Sequence, residues 1–325
     1  MGGLSRKYTA INELRSQGRD PVILDAGDLL FTVPVLHDSN RVSEIFRGTA
    51  MLEGFDKIGC DAINVGYQEF AAGHDMLMDL IAQTSTPFIS ANLLDPQTEE
   101  PIFEPYTIIK RGEITFGVIG LTDLVPDTID QVLVDDYTIT GNIYLSAMEG
   151  KVDIKVLLVN SDRSTYSELH EIFPAADLIF TSGSTFMTRP MMDQEEDGPF
   201  VFSSGREGRY LNQVDISLVD GSDRIINRSY YDAKVKYLKK RIDRYQDKDP
   251  GITLEKLYAD QPNVLTNINK SRDAIERMEN MLNERYNSIN FQNVSMDSKI
   301  NDDPEMLDHV NRSLEKCREL MKNDR

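Results

Sequence analysis

The sequence predicts a mixed-sheet α/β sandwich followed by a C-terminal helical appendage. Three observations predict it. Short apolar runs such as Val22-Ile23-Leu24 and Val156-Leu157-Leu158-Val159 alternate with helical segments, as buried parallel strands do. Residues 106–110 and 114–121, joined by Arg111-Gly112-Glu113, read as an antiparallel hairpin, which argues against a purely doubly wound sheet. From Arg228 onward the pattern turns mainly helical, dividing the chain into residues 1–228 and 229–325.

The elements follow in order. Tyr8, Ile11 and Leu14 form the apolar face of a first helix over 7–18, stopped by Gly18. A strand at 21–26 ends in Asp25-Ala26-Gly27-Asp28. Val42, Ile45, Phe46, Met51, Leu52 and Phe55 recur at helical spacing over 41–58. Residues 61–66 read as a second buried strand, 75–83 as a helix and 88–94 as a third strand. Beyond the hairpin come a strand at 154–159, a helix at 165–173 and a strand at 177–181. Residues 200–203 and 211–219 close the sheet region, the second alternating in the antiparallel manner.

In the C-terminal part, Tyr231, Val235, Leu238, Ile242 and Tyr245 make a stripe that Asp249-Pro250-Gly251 breaks. Leu254, Leu257 and Tyr258 begin another helix. Ile268, Ile275 and Leu282 recur at seven, interrupted by Ser271 and Arg285, and an antiparallel helical hairpin is the simplest arrangement. Residues 289–294 alternate as a strand does. Asp302-Asp303 cap a last helix bearing Met306, Val310, Leu314 and Cys317 on one face.

With 325 residues, 40% of them hydrophobic, the chain is long enough for one sizeable core plus an appendage. A net charge of −19 disfavours nucleic acid and anionic membranes as direct partners. No run is long and apolar enough to predict a transmembrane helix. Two isolated cysteines make neither a disulfide framework nor a metal motif. Cys60 reads as a buried small hydrophobe and Cys317 as a surface thiol.

The Gly2-Gly3-Leu4-Ser5-Arg6 start and the strand ending at Gly27-Asp28 resemble the calcineurin-like metallophosphoesterases of the 5′-nucleotidase kind. The resemblance covers about residues 2–220. Ser90-Ala91-Asn92-Leu93, Gly117-Val118-Ile119-Gly120-Leu121-Thr122 and Ser204-Gly205-Arg206-Glu207-Gly208-Arg209 add to it. It implies a sandwich of metallophosphoesterase type, with a further strand and an Asp-x-His motif before Gly2. If that strand is lacking, a sheet position beside 22–24 is unpaired or is filled by another segment, each unmet backbone group costing about 1–3 kcal/mol.

The resemblance also implies a two-metal site for phosphoester hydrolysis. Its bridging carboxylate falls on Asp28. The remaining blocks keep their order and change their residues. Tyr67 stands where a ligand Asn belongs, and Gln68 where a His would protonate the leaving group. Asn160 replaces a His ligand, and Ser184 and Phe186 replace two more. Phe186 cannot ligate, and a neutral Gln cannot act as a general acid. His37, His74, His170 and His309 read as solvent-exposed or helix-surface residues. Asp28 then reads as a vestigial ligand, or as a structural carboxylate at the strand end. Asp25 has no role in the resemblance.

The reading is a degenerate, catalytically inactive metallophosphoesterase-like domain serving as a binding or scaffold module. It needs no cofactor. The resemblance puts it outside the cytoplasm and beside a redox partner, although this chain has no Cys-x-x-Cys-His for haem. The alternative is a phosphoester hydrolase using a divalent metal pair with unusual ligands, His74 among them. A protein partner or homo-oligomer through the C-terminal helices is a third reading.

Overall fold

The computed structural model describes residues 3–194, 198–205, 208–219 and 225–323. Gly2, Arg206 and Glu207 of the resemblance lie outside them. The chain divides into two compact units. The first comprises Met1–Thr188, Asp197–Leu211 and Val294–Arg325, the second Arg189–Glu196 and Asn212–Asn293. These units do not follow the expected division at 228.

In chain order the first unit opens with α1 (Leu4–Ser16), β1 (Leu24–Asp25), α2 (Arg41–Ile58), β2 (Ala62–Asn64), α3 (His74–Ile81), β3 (Phe88–Ile89) and β4 (Leu93–Leu94). It continues with β5 (Tyr106–Arg111), β6 (Ile114–Thr122), β7 (Leu133–Val134), α4 (Tyr137–Ala147), β8 (Ile154–Asn160), α5 (Leu169–Ile172), β9 (Leu178–Ser182) and β10 (Phe200–Ser203).

Two sheets carry the architecture. One has the order β1-β2-β3, all parallel, and the other β10-β9-β8-β6-β5, in which the β5–β6 hairpin is antiparallel and the rest parallel. Side chains bond across the two sheets in both directions, Asn64 Nδ2 donating to Leu121 O (3.0 Å) and Thr122 Oγ1 to Val65 O just past β2. One apolar core forms around Phe31, Leu52, Ile63, Phe70 and Leu77, the other around Leu121, Leu145, Leu157 and Phe173. The result is the expected mixed-sheet α/β sandwich.

Local chemistry sets the boundaries. Gly59, at φ +75, ends α2, and the Cys60 N–H returns to Phe55 O (3.2 Å). The expected strand at 21–26 is regular at Leu24–Asp25, and β1 is an edge strand bonded to β2. Among the described residues no strand flanks its other side.

The last helix, α9 (Pro304–Asn323), folds back onto α1 and α2. Met306 packs with Ile11 and Ile58. His309 Nε2 bonds Ala50 O at 2.9 Å and Cys317 Sγ bonds Ser43 O at 3.5 Å. Both side chains are buried, so the surface readings of His309 and Cys317 are corrected. An apolar stripe on a helix among charged residues does not show whether a neighbouring polar residue joins the contact.

The second unit holds most of a sheet ordered β11-β13-β12, from β11 (Tyr210–Ser217), β12 (Ile225–Asn227) and β13 (Asn287–Ser295). Residues 211–219 therefore leave the sheet that 200–203 closes. Between β12 and β13 lie α6 (Arg228–Gln246), α7 (Leu254–Leu257) and α8 (Pro262–Asn283). Val235 and Leu238 meet Ile275, while Ile268 meets Leu254 and Tyr258, so the seven-residue repeat is helix packing within this unit.

Candidate functional site

The C-terminal ends of β1, β2, β8 and β9 converge on Asp28. Gly27 (φ +101) and Asp28 (φ +63) both take left-handed backbone conformations. For a non-glycine residue that conformation costs about 1–2 kcal/mol. Glu69 accounts for it. Its carboxylate accepts the successive N–H groups of Asp28 (2.8 Å), Leu29 (2.6 Å) and Leu30 (3.0 Å), and also that of Gly66 (2.8 Å). Consecutive amides wrapped around one carboxylate form an anion nest, and Asp28 must turn left-handed to aim them.

Asp28 is satisfied in the same manner. It accepts N–H groups from Gln68, Tyr67 and Gly183 and the side-chain amide of Asn160, the Gln68 bond measuring 2.9 Å. Asn160, at the end of β8, is fully buried. Its Oδ1 accepts the Tyr67 N–H at 3.0 Å. Its Nδ2 reaches Ser182 Oγ at 2.7 Å, and Ser182 Oγ donates to Ala26 O at 2.6 Å. Asn160 thus ties all four strand ends together. Gly66 leaves the room this requires. A Cβ there would sit 2.8 Å from Asp28 N and Oδ1 and 2.9 Å from Asn160 Nδ2.

Burial pushes both carboxyls above their ordinary range. Glu69 is raised to about 7 by burial and then by the charge of Asp28, against the pull of its N–H donors. Asp25 is also raised by burial, with the Lys7 charge and the Gly27 N–H drawing it down.

Each sequence-predicted position can now be placed. Asp28, Tyr67, Gln68 and Asn160 meet at one point, Tyr67 and Gln68 through their backbones. Ser184 Oγ accepts the Phe186 N–H (3.1 Å). The Phe186 ring stacks edge-on against Tyr166, centroids 6.2 Å apart, and lies 4.8 Å from the Arg163 guanidinium. His74 pairs with Asp75 (3.1 Å), His170 lies 3.8 Å from Glu171, and His37 is exposed. Glu69 is the functional residue to which the sequence pattern assigned no role. The one signal available was a carboxylate directly before the apolar Phe70-Ala71-Ala72.

A dinuclear metal pair does not fit this donor set. The two carboxylates accept amide N–H groups, and the positions to which the resemblance assigns histidines hold Gln68, Asn160, Ser184 and Phe186. Among the described residues no group of three or more His, Cys, Asp or Glu is placed to hold a metal ion. The arrangement binds its own backbone and fixes the loops around Asp28.

No family model matches the chain. It is 29% identical over 226 residues to a 5′-nucleotidase of Vibrio vulnificus, covering 67% of this chain and 35% of that protein. It is 25% identical over 262 residues to a 2′,3′-cyclic-nucleotide 2′-phosphodiesterase/3′-nucleotidase of Salmonella typhimurium, covering 68% and 40%. Among solved structures it is similar to the calcineurin-like phosphoesterase YfkN of Bacillus subtilis, with TM-score 0.63 at 16% identity, covering 99% of this chain and 91% of that one. At that identity the likeness shows the fold. The chain spans between a third and two fifths of the length of these two curated relatives.

Proposed function

Taking this chain as a relative, by sequence and by fold, of 5′-nucleotidases and calcineurin-like phosphoesterases, we infer that it is a noncatalytic member whose metal centre has become a hydrogen-bonded core. One observation carries this: the Asn160 amide and three backbone N–H groups surround Asp28. The resemblance would put a metal-binding histidine at position 160, and Asn160 Nδ2 instead donates a hydrogen bond to Asp28. The fold is kept because these amides hold together the strand ends that metals would otherwise cross-link. The domain then acts as a binding or scaffold module, and resemblance supports a place outside the cytoplasm. Among the described residues no helix is long and apolar enough to cross a membrane.

The test is direct. The purified chain is assayed on 5′-AMP, 2′,3′-cyclic AMP and bis(p-nitrophenyl) phosphate with Mn²⁺, Zn²⁺ or Mg²⁺, beside calorimetric titration with each metal. The expected result is no turnover and no stoichiometric binding. Turnover abolished by Asp28→Ala, or two tightly bound metals per chain, would overturn the proposal.

A further inference from the structure

The charge of this chain is unevenly placed. The first unit holds 38 Asp and Glu against 20 Lys and Arg, and the second holds 16 against 15, so nearly all of the net −19 belongs to the first. Within the second unit the cations gather on α6, which carries seven Lys and Arg and two Asp. Its apolar face is used: Val235 and Leu238 pack on Ile275 of α8. On the opposite face Lys236, Lys240 and Arg244 recur at i, i+4 and i+8 and are exposed, beside Tyr237, which is 47% exposed. Lys239, on the flank, pairs with Glu279 at 2.6 Å. Among the described residues no carboxylate lies within ion-pair distance of Lys236, Lys240 or Arg244.

The first unit holds the opposite pattern. Residues 123–136 contain Asp123, Asp127, Asp130, Asp135 and Asp136 and no Lys or Arg. All five are exposed, and among the described residues none forms an ion pair. Partial burial and the charges of Asp136 and Asp162 push Asp123 above its ordinary range, as carboxylates crowded together do. Strand β7, inside this segment, exposes Leu133 (41%) and Val134 (38%).

We infer that the basic stripe of α6 docks on the acidic 123–136 segment of a second copy of this chain. Charge complementarity selects the occupant. A row of unpaired cations meets a row of unpaired carboxylates, and each row carries an exposed apolar centre, Tyr237 on one side and Leu133 with Val134 on the other. Tyr and Arg are also enriched in protein interfaces. Both halves belong to one chain, so every copy supplies its own complement. A continuous polyanion fits less well, because it would run past the stripe onto Asp232 and Asp243 of the same helix. The second unit is nearly neutral, and salt confines repulsion between more distant charges to about 8 Å at physiological ionic strength. The two patches differ, so the contact is heterologous and either closes into a ring or continues as a chain of copies.

The full chain is measured by sedimentation velocity up to about 100 μM, where micromolar contacts are populated, in low and in high NaCl. The expected result at low salt is a mass that rises with concentration above the single-chain value. Raising NaCl from about 0.05 to 0.5 M should weaken the association at least about tenfold. Two variants read the two halves: Lys240→Glu with Arg244→Glu, and Asp127→Lys with Asp130→Lys. Each alone should sediment as a single chain. Mixed in equal amounts they should assemble, because reversed stripe meets reversed segment and the unchanged halves meet each other. All four side chains are exposed, so circular dichroism and melting temperature should match wild type. A wild type of single-chain mass at low salt and the highest concentration would overturn the inference. So would assembly indifferent to salt, either variant assembling alone, or a mixture that stays single-chain. None of these outcomes bears on catalysis, so the inference and the noncatalytic reading fail separately.

Discussion

Asn160→Asp changes one heavy atom and tests the reading of the site. In the wild type, Asn160 Nδ2 donates to the Asp28 carboxylate and to Ser182 Oγ. Aspartate keeps the volume and the Tyr67 contact and removes both donations. A hydrogen bond to a charged group is worth about 1.5–3 kcal/mol, and the neutral one about 1. The loss is about 3 kcal/mol before repulsion among three buried carboxylates is added. At about 2–4 °C per kcal/mol, the melting temperature should fall by about 6 °C or more. Differential scanning calorimetry with EDTA, and then with Mn²⁺ or Zn²⁺, reads this out. Wild type should melt at the same temperature in all three conditions. Two results refute the reasoning: a variant melting within about 1 °C of wild type, or a wild type gaining several degrees with metal. The first means Asn160 does not hold the site. The second means Asp28 still ligates, since preferential binding to the folded state raises stability.

Three further predictions follow from the same geometry. Glu69→Gln turns one acceptor oxygen into a donor, leaving two N–H groups facing an NH₂ group. It should cost about 2–4 kcal/mol in urea unfolding at pH 7. Because the folded pKa of Glu69 is raised from 4.5 to about 7, its stabilising share is complete below about 4.5 and is lost as pH rises through 7. The wild-type urea midpoint should carry that downward component, and Glu69→Gln should lack it. Asp56 runs the opposite way. Burial alone would raise it, but bonds from Thr84 (2.7 Å), Thr86 (2.8 Å) and Ser85 (3.0 Å) outweigh that and hold it below its ordinary 3.8. Its share is present above 3.8 and is lost as pH falls through the folded value, so acid unfolding should be shallower in Asp56→Asn. Gly66→Ala forces a methyl into 2.8–2.9 Å contacts with Asp28 and Asn160. About 1–3 kcal/mol of destabilisation is expected, and a variant as stable as wild type would show that those loops yield.

The layout of the sandwich was legible because period and order are sequence properties. Residues 41–58 match α2 at both ends, since the apolar spacing and the Gly59 stop agree. Helix α4 was missed for a physical reason. Thr138, Ile139, Thr140 and Ile143 are β-branched, Gly141 disfavours helix, and no polar face opposes the apolar one. Asp136, accepting the N–H groups of Thr138 (2.8 Å) and Ile139 (3.2 Å), is the signal that could have marked its start. The failed expectations for His309 and Cys317 share a cause. Which charged helix folds back over which face is a tertiary fact, with no period of its own in the chain.

The site shows a different limit. A ligand motif is read from side chains, so replacement at Tyr67, Gln68, Asn160, Ser184 and Phe186 reads as loss. What holds these loops is mainly backbone, and backbone N–H groups are present whatever the sequence says. Gln68 and Tyr67 contribute amides to Asp28 that any non-proline residue could supply. The positions where identity matters are those that receive or relay these donors: Asp28, Glu69, Asn160 and the glycines that let them approach. Asp28 and Asn160 among them are legible in the sequence, and Glu69 is not. Substituting Tyr67 or Gln68 by alanine should leave the Asp28 contacts in place, whereas changing Asn160 or Glu69 should open them. A site defined by lost ligands would give no such contrast. Hydrogen exchange at the amides of Asp28, Leu29 and Gly66 separates the two views, with protection kept in Gln68→Ala and lost in Glu69→Gln.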